Sequence, residues 1–351
     1  MTQTSPILVW VRRDLRLSDH AALTAAAQTG RPVIPVFICD PLVTQLGAAP
    51  KWRFGLGVEV FGKALEAIQS RLILRRGDAL EVLQTLIQET GAGSVYWQRA
   101  YDPDSQARDT NVKAALKEQG VEARSFAGHL LFEPWTVENK TGGFYKVYTP
   151  FWKMVKDRGA PDPVAPIRAL TAPDSWPQSD DLGDWGLGDA MRRGAGVVAH
   201  HVCVGEAAAR DRLETFIDNR VADYSEARDI PGIKGTSGLS ENLTYGEISP
   251  QACWHAGYRA MQENKAGAEV FLKELVWREF AYHLLHHSPH ITQSSWRPEW
   301  DKFPWNEDET TREVIAWKQG RTGIEFVDAA MRELYVTGTM HNRARMIVGS
   351  Y

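Results

Sequence analysis

Between Ile7 and Gln119, short runs of β-branched and aromatic residues alternate with longer stretches of helical periodicity, and beyond Gly205 the alternation stops. The runs Ile7–Val11, Val33–Ile38, Leu72–Leu74 and Ser94–Trp97 are followed in turn by helical stretches at Ala21–Gln28, Trp52–Ser70, Ala79–Glu89 and Ala107–Gln119. A helix between successive strands returns the chain to the starting edge, so such strands pair in parallel and both faces of their sheet are covered. The spacing predicts a doubly wound, Rossmann-like parallel sheet over residues 1–131. Gly77-Asp78, Gly91-Ala92-Gly93 and Gly120 fall at the joints, where a helix takes an N-cap carboxylate or a C-terminal glycine.

From 132 to 204 the periodicity fades, and Pro134, Pro150, Pro161, Pro163, Pro166, Pro173 and Pro177 accumulate among Gly and Asp residues. The expectation is an interdomain linker wrapping the surface, since so long a loop is foreign to one compact domain. Helical patterns then follow at Ala207–Val221, Gln251–Asn264, Ala268–His287, Arg312–Lys318 and Glu325–Leu334, which predicts an all-helical domain over 205–351.

The 351 residues are 43% hydrophobic and 24% charged, ordinary values for globular protein. No run reaches the ~18 apolar residues of a membrane span, and the N-terminus lacks the basic, apolar and cleavage regions of a leader, so a cytoplasmic protein is expected. Cys39, Cys203 and Cys253 are far apart and form no paired metal or disulfide motif. A net charge of −4 rules out a generally basic coat, so any nucleic-acid site must be a local basic groove. Thirteen tryptophans are many, and packing or redox chemistry could use them.

Three segments carry chemistry. The first runs Tyr224-Ser225-Glu226-Ala227-Arg228-Asp229-Ile230-Pro231, then Gly235-Thr236-Ser237-Gly238-Leu239-Ser240, then Leu243-Thr244-Tyr245-Gly246-Glu247-Ile248-Ser249-Pro250. A turn rich in Gly, Ser and Thr offers amides and hydroxyls to a phosphate, although a capped helix–loop–helix explains the same residues. In the second, Phe271, Glu274, Trp277 and Arg278 stand three and four apart, a spacing for one helical face that suits a polar aromatic ligand or a buried ion pair beside packed rings. The third, Met340-His341-Asn342-Arg343-Ala344-Arg345-Met346, places Asn342, Arg345 and Met346 on one side with Arg343 turned away.

In this order, and together with Val9-Trp10-Val11-Arg12-Arg13-Asp14-Leu15-Arg16-Leu17-Ser18-Asp19-His20, these segments resemble the photolyase and cryptochrome family. The match spans nearly the whole chain and extends through Trp317, Gly323 and Asp328 to Arg332. The resemblance implies that Tyr224, Thr236, Ser237, Gly238, Leu239, Ser240, Phe271, Glu274, Arg278, Asn342 and Arg345 hold a U-shaped FAD. It further implies a carbon–carbon lyase on UV-damaged DNA: reduced FAD absorbs blue light and donates an electron to a cyclobutane pyrimidine dimer, whose ring opens before the electron returns. Glu274, Trp277, Asn342 and Met346 would face the flipped dimer, Arg228 and Arg343 would reach DNA phosphates, and Trp305 would be the outermost tryptophan of an electron relay.

The (6-4) photolyases resemble this chain but carry histidines where Asn342 and Met346 stand, which favours cyclobutane dimers. The alternative within the family is a cryptochrome, a blue-light signalling flavoprotein without repair. The N-terminal part taken alone also fits a generic nucleotide-binding module, which leaves Trp277 and Glu274 unexplained. The resemblance also implies an antenna chromophore in the cleft at the sheet's carboxyl edge or facing the helical domain. Its class stays open among deazaflavin, flavin and methenyl folate: Ser105 stands where folate-binding members have glutamate, and Lys51-Trp52-Arg53 leans toward the first two. A monomer is expected. Because the family continues past the position of Tyr351, the chain reads as truncated before the last flavin-binding segment.

Overall fold

The computed structural model describes residues 5–351. Strands β1 (Ile7–Val11), β2 (Val33–Cys39), β3 (Ile73–Arg76), β4 (Ser94–Gln98) and β5 (Glu122–Phe126) form one parallel sheet in the order β3-β2-β1-β4-β5. The α-helices among the described residues are α1 (Ala21–Ala27), α2 (Pro41–Thr44), α3 (Ala48–Ala67), α4 (Ala79–Thr90), α5 (Pro103–Glu118), α6 (Tyr148–Val155) and α7 (Arg193–Val198). They continue with α8 (Glu206–Asn219), α9 (Tyr224–Ala227), α10 (Ser240–Tyr245), α11 (Pro250–Gln262), α12 (Ala268–His287), α13 (Arg312–Lys318), α14 (Glu325–Thr337) and α15 (Asn342–Val348). The doubly wound sheet followed by helices is the fold that the alternation predicted.

Alternation along each strand sorts the core. Ile7, Val9, Val11, Val33 and Phe37 pack with Leu23 of α1 and with Phe54, Val58 and Phe61 of α3 on one face. Leu8, Trp10, Ile34, Val36 and Trp97 pack with Leu83 of α4 and Leu116 of α5 on the other. A sheet buried on both sides explains why its central strands read as continuous apolar runs.

The segment 132–204 does more than wrap the surface. Val137, Phe151, Trp152 and Val155 are buried in the helical core against α8, α11 and α12, while Ile167, Leu170, Trp185 and Leu187 join the core on the α3 side of the sheet.

The seam between the sheet and the helices is polar and closed. Arg53 donates to Glu247 at 2.7 and 2.9 Å and also pairs with Glu241, all three side chains being largely or wholly buried. Its guanidinium lies 4.8 Å from the centre of the Tyr245 ring. Arg53 is therefore a seam residue, and the lean of Lys51-Trp52-Arg53 toward a deazaflavin or flavin loses this member. Gly246 passes so close to the chain at Arg13 that a Cβ there would lie 2.0 Å from the Arg13 carbonyl oxygen.

Candidate flavin and lesion site

The geometry starts with α9, one turn long, whose Tyr224 lies edge-on to Phe216 at 5.2 Å and to Phe271 of α12 at 6.2 Å. The Tyr224 ring is buried, yet its hydroxyl makes no hydrogen bond among the described residues. Burial, opposed by Arg228 and reinforced by the Glu274 carboxylate, pushes that hydroxyl up to about 12, so it stays a neutral donor at physiological pH. At the other end of α9, the 235–240 turn comes so near that a Cβ on Gly235 would meet the Ala227 carbonyl oxygen at 2.5 Å. Thus α9 joins the Gly-Ser-Thr turn to α12.

In the turn, the amides of Thr236, Ser237 and Gly238 donate to no protein acceptor among the described residues. Arg212 takes the Gly238 carbonyl at 2.7 Å, Gly238 holds a left-handed φ of 65°, and Leu239 anchors the turn in the core. Unspent amides on a fixed turn, with an unspent tyrosine hydroxyl on the short helix that the turn packs against, fit a dinucleotide's phosphates. The residues present therefore suit FAD.

On α12 the predicted residues divide instead of sharing one face. Phe271 is 5% exposed and packs 4.9 Å from Phe216, a core position. Trp277, six residues on, is 45% exposed. Six steps of 100° put these two 120° apart, so spacings of three and four drift off one face over two turns. Arg278 turns toward the seam, where it donates to Glu279 Oε1 at 3.0 Å and to His129 Nε2 at 3.0 Å. Because an arginine can only donate, His129 Nε2 is an acceptor. Burial, followed by Arg278 and three further arginines, holds that imidazole well below its usual range and hence neutral.

Glu274 accepts from Arg228 at 2.5 Å, Arg228 lies 3.6 Å from Asp229, and Asp229 accepts from Arg343 of α15 at 2.7 Å. This chain of charges ties α12, α9 and α15 together. It pairs each of the two arginines with a carboxylate, a partnership that local spacing did not show. It also corrects the view of α15: Arg343 lies 3.5 Å from the sulfur of Met346, on the same side, whereas Arg345 folds back onto the Met340 carbonyl at 3.0 Å. Asn342 opens the helix and is exposed. Trp305 is 60% exposed, packed on Phe303 at 4.4 Å with its indole N–H on the Trp300 carbonyl.

Asp229 stood in the first motif without a role assigned to it, and Tyr148, whose ring stacks on Trp277 with centroids 3.6 Å apart, was not singled out in the sequence at all. A second site was expected and is present as a cleft: a cavity of about 510 Å³ at the carboxyl ends of β1, β2 and β4, lined by Phe37, Asp40, Tyr101, Ser105 and Arg108 and walled by Ala281, Tyr282 and Leu285 of α12.

Residues 7–171 match the DNA photolyase family and residues 271–351 match the FAD binding domain of DNA photolyase. The deoxyribodipyrimidine photo-lyase of Agrobacterium fabrum is 44% identical over 352 residues, 99% of this chain and 73% of that protein. The chain belongs to the DNA photolyase family. A crystallised bacterial class III photolyase from Agrobacterium tumefaciens superposes with a TM-score of 0.93 at 44% identity, covering 99% of this chain and 72% of that one. Cryptochrome-2 of Arabidopsis thaliana, 32% identical over 369 residues, is a more distant relative of this photolyase-family chain, which covers 60% of it.

Proposed function

We propose that this protein is a deoxyribodipyrimidine photo-lyase, repairing cyclobutane pyrimidine dimers in DNA by light-driven electron transfer from reduced FAD. One observation carries the reading beyond kinship: a large indole, Trp277, stands 45% exposed on a helix whose two phenylalanines, Phe271 and Phe280, are in the core, one turn from a carboxylate. An exposed aromatic face is what a flipped pyrimidine stacks on. Glu274 spends Oε1 on Arg228 and leaves Oε2 without a protein partner among the described residues, free to accept from a base edge.

Bound FAD supplies the light-driven electron that opens the cyclobutane ring. The protein's own part is to bind and to orient. Tyr224, Ser240 and the amides of Thr236, Ser237 and Gly238 would hold the phosphates, with Leu239 and Phe271 as their packed support. Arg278 and Arg345 would bring positive charge to the flavin, and Asn342 and Met346 would flank the lesion beside Glu274 and Trp277. Arg228 and Arg343 act on DNA through the edge of their carboxylate pairs, and Trp305 would pass electrons at the surface. A second, antenna chromophore of deazaflavin, flavin or folate class would sit in the cleft at the sheet edge, and the protein would work as a monomer in the cytoplasm.

The test is purified, reduced protein under blue light with an oligonucleotide carrying one thymine dimer. Intact thymines should appear only on illumination, and W277A should bind the dimer about 10- to 100-fold more weakly. Flavin loading without any light-dependent restoration would leave a signalling flavoprotein instead.

A further inference from the structure

The two faces of Trp277 are treated differently. Tyr148, the first residue of α6, lies parallel to one face, with ring centroids 3.6 Å apart and planes 7° from coplanar. Phe280 closes the base of the pair, edge-on to Trp277 at 5.8 Å and to Tyr148 at 5.8 Å. With one face and the base covered, the 45% of Trp277 that remains exposed lies on the opposite face and the outer edge.

Tyr148 is held from two directions. Its hydroxyl donates to the Lys273 carbonyl at 2.6 Å, the oxygen that the Trp277 amide also approaches in the helical i to i−4 pattern. Behind it, Phe151, Trp152 and Val155 root α6 in the helical core. Two free rings prefer an offset or an edge-on arrangement to direct superposition. The near-eclipsed stack is thus imposed by these anchors, and it removes the rotations that an exposed indole would otherwise sample.

We propose that Tyr148 is a positioning residue for lesion recognition: it occupies one face of Trp277, fixes the indole plane, and presents only the far face to a flipped pyrimidine dimer. This rests on the reading of Trp277 as the ring on which the dimer stacks. Preorganising the ring spares the ordering cost that binding would otherwise carry, so the gain belongs to damaged DNA and not to the undamaged duplex.

The experiment compares Y148L, Y148F and W277A with the unaltered protein, measuring dissociation constants in the dark for a thymine-dimer oligonucleotide and for the same undamaged sequence. Y148L should weaken dimer binding about 5- to 10-fold and leave undamaged binding unchanged, while Y148F, which keeps the ring and loses the hydroxyl, should stay within about 2-fold. A Y148L protein that discriminates as well as the unaltered one, while W277A does not, overturns the role of Tyr148 and leaves that of Trp277 standing. If W277A itself discriminates normally, the stacking reading falls and Tyr148 with it. Equal losses for both DNAs in Y148L would mark Tyr148 as a structural support only and also overturn the proposal.

Discussion

Glu279 is one residue from Arg278 and fully enclosed, yet it keeps a carboxyl group that accepts from the Leu131 amide at 2.7 Å, the Phe132 amide at 3.3 Å and Arg278 at 3.0 Å. Burial outweighs these partners and pushes it from 4.5 up to about 7. The folded protein therefore holds the proton more tightly than the unfolded chain. Unfolding releases it between those two values, and stability falls as pH rises through that window. The contribution is on the order of 3 kcal/mol, and E279Q should remove it. Urea midpoints measured from pH 4.5 to about 7 should decline more steeply for the unaltered protein than for E279Q; parallel curves would refute the assignment. At the same scale, Tyr224 and His129 show how enclosure avoids stray charge: burial keeps one hydroxyl and one imidazole neutral.

Among the elements, α10 has a demanding end. Gly246 closes it with a φ of 67°, its carbonyl taken by Arg16 at 2.9 Å. In G246A, left-handed backbone strain of about 1–2 kcal/mol would add to the overlap with the Arg13 carbonyl. The expected outcome is a loss of stability larger than that strain alone, read as a lowered urea midpoint. Legibility followed how strongly each element was marked. Helices α12 and α13 were readable to the residue because their periodicity runs unbroken to a Ser-Pro end or a Thr cap. Strand β5 was missed because Glu122 and Arg124 alternate with its small and apolar residues, the charged pattern that keeps an edge strand from pairing further. Helix α6 was missed because Pro150 lies inside it; in a first turn the missing amide costs nothing, so a proline there does not mark a break. Of the site, residue identities were visible but directions were not: whether Arg228 points to solvent or to Glu274 depends on α9 meeting α12, which local spacing does not encode.

At the scale of the whole molecule, the sheet and the helices are fastened by groups buried where they meet. Arg53 on α3 reaches Glu247 after α10, and removing one partner strands the other in a dry place, at a cost of about 3–5 kcal/mol. R53A should accordingly unfold at much lower urea than the unaltered protein, while R53A combined with E247A should recover part of the loss; no recovery would mean the pair is not the cause. The exposed aromatics Trp300 and Trp305 lie inside the segment 271–351 that matches the FAD binding domain, and the chain as a whole covers 73% of its Agrobacterium fabrum relative. Helix α12 carries Trp277 exposed on its surface and Leu285 on the wall of the cleft at the sheet edge. Eight residues of helix make a rigid spacer of about 12 Å along its axis. A photon collector seated in that cleft would keep one distance and one bearing to the place where its energy is used, because a single rod serves as the ruler for both.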